Sequence, residues 1–173
     1  MWTHARGIIV GMGAGDRTEE PRGSAVMREH GALVARVCMA LLGDGPAVEL
    51  ALERIAREAG VAKFDDSKDP RAVLMGIARG ACAVQLSKMP SRLPLRTAGW
   101  GDAAAKPGEA REPALARAAL GKLKPTEREA VVLHLVGGLD AAQIAEACGI
   151  DMETARGRIA RGVAQLVQEE KRR

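Results

Sequence analysis

The sequence predicts an all-α protein made of two small helical domains joined by a flexible linker, the second containing a helix-turn-helix. Apolar residues make up 47% of the 173 residues, yet aromatic residues make up only 2%. The core must therefore be built from Ala, Leu, Val, Ile and Met, which favours helices packed on helices over β-sandwiches. Apolar residues also recur at helical spacing in two blocks, and a stretch rich in Pro and Gly separates them.

The first block, residues 23–88, predicts three helices that share one small core. Helix one is expected to run to about residue 42, where Gly43-Asp44-Gly45 stops it. Helix two begins with Pro46, and helix three begins with Pro70 behind an Asp69 cap and ends before Pro90. The expected apolar side of helix two consists of Leu50, Leu52, Ile55, Ala56 and Ala59.

Two segments lack helical patterning. Residues 1–22 are rich in Gly and polar residues, which predicts a mobile tail. The sequence GMGAGD at 11–16 is similar to a dinucleotide-binding loop, but Asp16 replaces the third Gly and no helix pattern follows directly. Residues 89–112 contain three Pro and three Gly and are predicted to be the linker. Trp100 within it is expected to be a docking anchor on one of the domains, with a base-stacking residue as the alternative.

The second block, residues 113–173, predicts a series of short helices that starts at Pro113. Thr126 and Glu129 have the spacing of a capping box, as do Asp140 and Gln143. Gly137-Gly138 separates the two helices that these boxes would begin. Asp151 is expected to cap the last helix, which runs to about residue 170.

The two last helices have the spacing of a helix-turn-helix. Small Ala145 allows a close helix crossing, Gly149 permits a left-handed turn, and Ile150 fills the gap between the helices. An arginine-rich helix face can grip phosphate or read guanine, and Glu153 or Thr154 can meet phosphate or a cytosine amino group. The alternative is a helical hairpin whose arginines are only solvated. The predicted DNA-contacting residues are Met152, Glu153, Thr154, Arg156, Arg158 and Arg161.

Residues 120–166 resemble region 4 of bacterial sigma factors of the extracytoplasmic-function (ECF) group. The matching positions are Leu123, Pro125, Arg128, Ile144, Ala145, Gly149, Ile150, Thr154, Arg158, Ile159 and Arg161. The sequence departs from the family at Gln143, Ala155, Gly157 and Gly162. The resemblance implies that this module binds the −35 element of promoter DNA.

Residues 27–88 resemble region 2 of the same group. The resemblance lies in LLGD at 41–44, in Ala47, Glu49, Leu52 and Ile55 of helix two, in Phe64, and in PRAVLMGIARGACAVQLSK at 70–88. The resemblance implies that Glu49, Leu52 and Glu53 bind the RNA polymerase core. It also suggests an anti-sigma factor as a further partner. However, the acidic family motif reads PAVELALER here, and the family's Trp and Asn in the third helix are missing.

These departures leave two functions open. One is a sigma factor that directs transcription initiation. The other is a sigma-like DNA-binding regulator that no longer melts promoters and uses its N-terminal domain for protein–protein interaction. Melting requires an extruded base to be held by stacking, and residues 60–92 offer only Phe64 as an aromatic.

Other classes of function find little support. No catalytic motif, metal-ligand spacing or cofactor loop is present, so neither an enzyme nor a cofactor is expected. Three cysteines, Cys38, Cys82 and Cys148, lie on apolar helix faces and are expected to be reduced and buried. The net charge of +4 is compatible with an acidic partner. The sequence shows no signal peptide and no apolar run long enough for membrane insertion, which predicts a cytoplasmic protein.

Overall fold

The computed structural model describes residues 21–43, 45–89 and 111–172, with the backbone alone for 111–114. Those residues form seven α-helices and no strand, which confirms the predicted all-α class. The predicted tail and linker, with Trp100, lie almost wholly outside the described residues. The helices are α1 (Arg22–Leu42), α2 (Pro46–Val61), α3 (Pro70–Lys88), α4 (Arg111–Lys122), α5 (Pro125–Leu135), α6 (Ala141–Cys148) and α7 (Met152–Lys171).

The first three helices form a bundle around a buried apolar centre. Val34 and Val37 of α1, Ile55 of α2, and Leu74 and Met75 of α3 are fully buried there. The beginning of α1 crosses the end of α2 so closely that a Cβ at residue 23 would lie 1.7 Å from the Ala59 carbonyl oxygen, which requires the glycine found there. The Asp69 carboxylate accepts from the Arg71 N–H at 2.8 Å and caps α3, as predicted.

The predicted apolar side of α2 is wrong in part. Val48, Ala51, Ile55 and Ala59 form the buried face. Leu50 is 51% exposed, and Ala56 is exposed as well. The predicted apolar side began at Leu50, whereas the buried face begins two residues earlier, at Val48. The prediction therefore included positions that turn away from α1 and α3.

The four remaining helices form the C-terminal unit, with α7 packed on α5 and α6. A Cβ at Gly162 of α7 would meet the Val131 Cγ2 at 2.5 Å, so the glycine lets α7 approach α5 closely. Helix α4 begins at Arg111, two residues before the predicted Pro113, and the proline is tolerated in the first turn. Arg128 of α5 ties the two helices together by donating to the Leu120 and Gly121 carbonyls at 2.8 and 2.9 Å.

The predicted capping box of Thr126 and Glu129 is wrong. Helix α5 begins two residues earlier than the box requires, at Pro125, and its N-cap residue Lys124 makes no side-chain cap. Proline at the first position needs no hydrogen-bond acceptor for its nitrogen and has a helical φ already, so it starts the helix without a box. Glu129 instead forms an ion pair with Arg79 of α3 at 2.7 Å.

The two units pack against each other along α3, and their apolar cores are continuous. A Cβ at Gly76 of α3 would lie 3.2 Å from the Ala147 carbonyl oxygen of α6, so these helix backbones are close. Gln143 of α6 donates to the carboxylate of Asp69. Arg71 donates to the Gly137 and Gly138 carbonyls between α5 and α6. With the Arg79–Glu129 ion pair, these polar contacts form what we call the interdomain seam.

Candidate nucleic-acid interface

Helices α6 and α7 form a helix-turn-helix whose corner is fixed by local hydrogen bonds. The Asp140 carboxylate accepts from the Gln143 N–H at 2.8 Å, and the Gln143 side chain accepts from the Asp140 N–H at 2.9 Å, which confirms the predicted capping box. Gly149 ends α6 with φ 64° and ψ 39°, the left-handed conformation that glycine adopts without strain. The Ile150 N–H then donates to the Ala145 carbonyl at 3.0 Å and closes the turn.

Asp151 caps α7 as the sequence predicts. Its carboxylate accepts from the Thr154 hydroxyl at 2.6 Å and from the Thr154 N–H at 2.7 Å. These hydrogen bonds favour the ionised carboxylate and hold the pKa of Asp151 below its usual value. Thr154 is half-buried, and its hydroxyl is already used in the cap. This hydroxyl therefore stabilises the start of α7.

One side of α7 faces solvent from its first turn onward. Met152, Glu153 and Arg156 are exposed there, whereas Ala155 is fully buried against the C-terminal unit. No ion pair engages Arg156 among the described parts of the chain. A free guanidinium beside the first turn of an exposed helix can reach phosphate oxygens or the acceptor atoms of guanine.

The other two predicted arginines are in more constrained surroundings. Arg161 lies with its Nε 3.1 Å from the Glu127 Oε1 of α5. Glu127 is nearly buried, at 7% side-chain exposure, whereas the Arg161 side chain is 63% exposed. Arg158 is half-buried, and its charge acts on Cys148 of α6. Burial and Glu129 raise the pKa of Cys148, and the positive charges of Arg79 and Arg158 oppose that shift.

The structure places the six predicted residues in the first three turns of α7, but not on one face of the helix, and in three different settings. Met152, Glu153 and Arg156 are exposed, Thr154 belongs to the cap, and Arg158 and Arg161 are held beside α6 and α5. What sequence reasoning missed is Glu127, which anchors Arg161 from 34 residues away. Its only local signal is an acidic residue in the first turn of α5.

The predicted polymerase-binding residues lie on α2. Glu49 and Glu53 are exposed one turn apart, Leu52 is half-buried, and the exposed Leu50 lies beside them. Acidic groups around an exposed leucine can bind a basic partner surface with an apolar centre.

Among the described residues, no group of three or more His, Cys, Asp or Glu side chains is arranged to hold a metal ion. In the same part of the chain, no helix is both long and apolar enough to cross a membrane.

Comparisons with known proteins agree with this geometry. Residues 114–166 match the family model for sigma-70, region 4, which covers α5, α6 and most of α4 and α7. The whole fold is similar to a solved structure described as CnrH in complex with the cytosolic domain of CnrY. The TM-score is 0.65 at 20% identity, over 86% of this chain and 87% of that one. A comparison with curated proteins gives no significant match.

Proposed function

We propose that this chain acts in the cytoplasm as an ECF-type sigma factor, without catalytic activity of its own. The match of residues 114–166 to the sigma-70, region 4 model and the similarity of the fold to the CnrH structure support this proposal. The C-terminal helix-turn-helix binds the −35 element of promoter DNA. The N-terminal unit binds the RNA polymerase core, and the two together direct transcription initiation.

The exposed side of α7 is the observation that carries this proposal. A helix-turn-helix places the N-terminal residues of its second helix against base edges in the major groove. Here that end carries Met152, Glu153 and Arg156 in solvent, and the corner behind it is fixed by two caps and a left-handed glycine. Arg158 and Arg161 are proposed to contact the phosphate backbone, with Arg161 oriented by Glu127.

The proposed polymerase contact uses Glu49, Leu52 and Glu53 on α2. Glu49→Lys should weaken binding of the full chain to core polymerase and leave binding to a DNA duplex unchanged. Glu29→Lys, at an exposed carboxylate on α1, serves as the matched control. If both variants bind polymerase like the wild type, the assignment of this α2 face is wrong.

A protein partner is also proposed. The solved structure of CnrH holds the cytosolic domain of CnrY. By similarity, we propose an anti-sigma factor that binds this chain and controls its access to polymerase.

The second candidate, a sigma-like regulator that does not melt promoters, is favoured by the position of Phe64. This residue is the chain's only Phe, and it is only 9% exposed in the N-terminal core, beside Gly23. A buried ring cannot stack on an extruded base. Within the described N-terminal helices, therefore, no aromatic side chain is available for holding open a promoter.

Run-off transcription with core polymerase decides between the two functions. A sigma factor gives discrete transcripts that depend on the added chain and on the promoter sequence. A regulator binds the same DNA but gives no transcript above core polymerase alone. If the chain neither binds duplex DNA nor supports transcription, both proposals are wrong.

A further inference from the structure

Two cysteines from different helices of the N-terminal bundle lie in contact. The Sγ atoms of Cys38 on α1 and Cys82 on α3 are 3.6 Å apart, although the residues are 44 positions apart in the chain. Both side chains are buried and both are free thiols. A disulfide requires the sulfurs to approach to about 2.05 Å, a closure of about 1.5 Å that side-chain rotation and a small helix shift can provide.

The two thiols of the pair are joined by a hydrogen bond. The Cys82 S–H donates to the Cys38 sulfur, and this hydrogen bond lowers the pKa of Cys38. The same contact, together with burial, raises the pKa of Cys82. Cys38 is therefore the thiol that ionises first, and the thiolate is the form that reacts with oxidants.

A small oxidant can reach the Cys82 side of the pair through a cavity. A cavity of about 270 Å³ lies between α1, α3 and α5, and Cys82 forms part of its wall. Leu41, one turn from Cys38 on α1, lines the same space together with Leu86 and Thr126. Hydrogen peroxide, with two heavy atoms, is far smaller than this volume.

We propose that Cys38 and Cys82 are a redox-active thiol pair that a peroxide converts into an intramolecular disulfide. The Cys38 thiolate attacks one peroxide oxygen, the O–O bond breaks, and the leaving hydroxide takes a proton to become water. The resulting sulfenic acid on Cys38 is attacked by the Cys82 sulfur, the S–O bond breaks, and a second water leaves. Two thiols lose two electrons in total, and one peroxide is reduced to two waters.

The third cysteine provides an internal comparison. Cys148 on α6 is half-buried, and burial raises its pKa, which makes its thiolate scarcer. Since its environment lacks a neighbouring thiol, it should not compete for the disulfide. This proposal goes beyond the proposed function, because the reaction depends only on the packing of α1 against α3.

The test treats the reduced full-length chain with hydrogen peroxide, quenches it with a thiol-blocking reagent and maps the peptides by mass spectrometry. We expect the intact mass to fall by two hydrogen atoms and one linked peptide to join Cys38 to Cys82. Cys148 should remain available to the blocking reagent. The same treatment in denaturant should give mixed pairings, which shows that the folded state selects the pair.

A second readout is the thermal stability of the oxidised chain. Because the disulfide closes a long loop, the melting temperature of the oxidised chain should rise by roughly 10 °C and return to the starting value on reduction. Cys148→Ala should behave like the wild type, whereas Cys38→Ala and Cys82→Ala should show no such shift. Oxidation confined to Cys148, disulfide-linked dimers only, or three unreacted thiols would each overturn the proposal.

Discussion

Reversing the charge of Arg79 should separate the two helical units. Its guanidinium Nε lies 2.7 Å from the Glu129 Oε1, and the side chains are 34% and 17% exposed. At an effective dielectric constant near 20, such a pair attracts by about 6 kcal/mol before desolvation is subtracted. Although burial opposes the charged guanidinium, Glu129 outweighs this effect and raises the pKa of Arg79. We expect Arg79→Glu to weaken the interdomain seam by about 2–4 kcal/mol, because Glu129 stays mostly buried and faces a like charge.

Small-angle scattering of the full chain measures this separation directly. The radius of gyration should increase by several ångströms in Arg79→Glu, and the unfolding transition should broaden as the units lose their coupling. The charge-swapped variant Arg79→Glu/Glu129→Arg should recover both values. Arg57→Glu, at an exposed arginine of α2, is the matched control and should change neither. If Arg79→Glu stays as compact as the wild type, or if the swap recovers nothing, the assigned role of the seam is wrong.

Three further predictions concern the C-terminal unit and are measured by urea or thermal unfolding. Gly162→Ala should destabilise the chain by about 1–2 kcal/mol, because its Cβ meets Val131 and overpacking exceeds the helix-propensity gain. A Cβ at residue 157 would meet only the flexible Arg161 guanidinium, at 3.1 Å, so Gly157→Ala should be neutral or stabilising by up to about 1 kcal/mol. Equal losses of stability in the Gly162 and Gly157 variants would contradict the close approach of α7 to α5. Asp140→Ala should lower the free energy of unfolding by about 1 kcal/mol through loss of the capping box. The control Glu146→Ala, at an exposed residue of α6, should change it by no more than about 0.5 kcal/mol. An unchanged unfolding midpoint for Asp140→Ala would show that the box is not stabilising. The pKa of Asp151 is lower in the folded chain than its ordinary value of 3.8. The stability that this carboxylate contributes is therefore complete above pH 3.8 and is lost as the pH falls through the folded pKa. Asp151→Asn should lack this part of the acid sensitivity, and identical acid unfolding profiles of the two chains would contradict the prediction.

The helix-turn-helix could be predicted from the sequence because its signals are local. Asp140 and Gln143 satisfy each other three residues apart, Gly149 ends α6, and Asp151 caps α7. Each interaction forms within one helical turn, so residue type and spacing are enough to identify it. The same reasoning failed at Thr126, since Pro125 starts α5 by a different local mechanism.

The seam could not be predicted, because its partners are far apart in the chain. Arg71 donates to a carbonyl 66 residues away, and Gln143 donates to Asp69 across 74 residues. No local pattern distinguishes these side chains from solvated ones. For the same reason, only a DNA-contacting role was predictable for Arg161, whereas the structure shows a second role, the ion pair with Glu127.

The exposed side of α7 is proposed to contact duplex DNA, and the salt dependence of DNA binding tests this contact. The full chain is titrated, over a range of salt concentrations, with a duplex that it selects from a random-sequence pool. Arg156→Ala should weaken binding and reduce the slope of log K against log salt by about 1 if this guanidinium contacts a phosphate. If it reads guanine, affinity should fall with a loss of preference at one base pair. Arg36→Ala, at an exposed arginine of α1, should match the wild type. If Arg156→Ala keeps the wild-type affinity, salt slope and sequence preference, this side of α7 does not contact DNA.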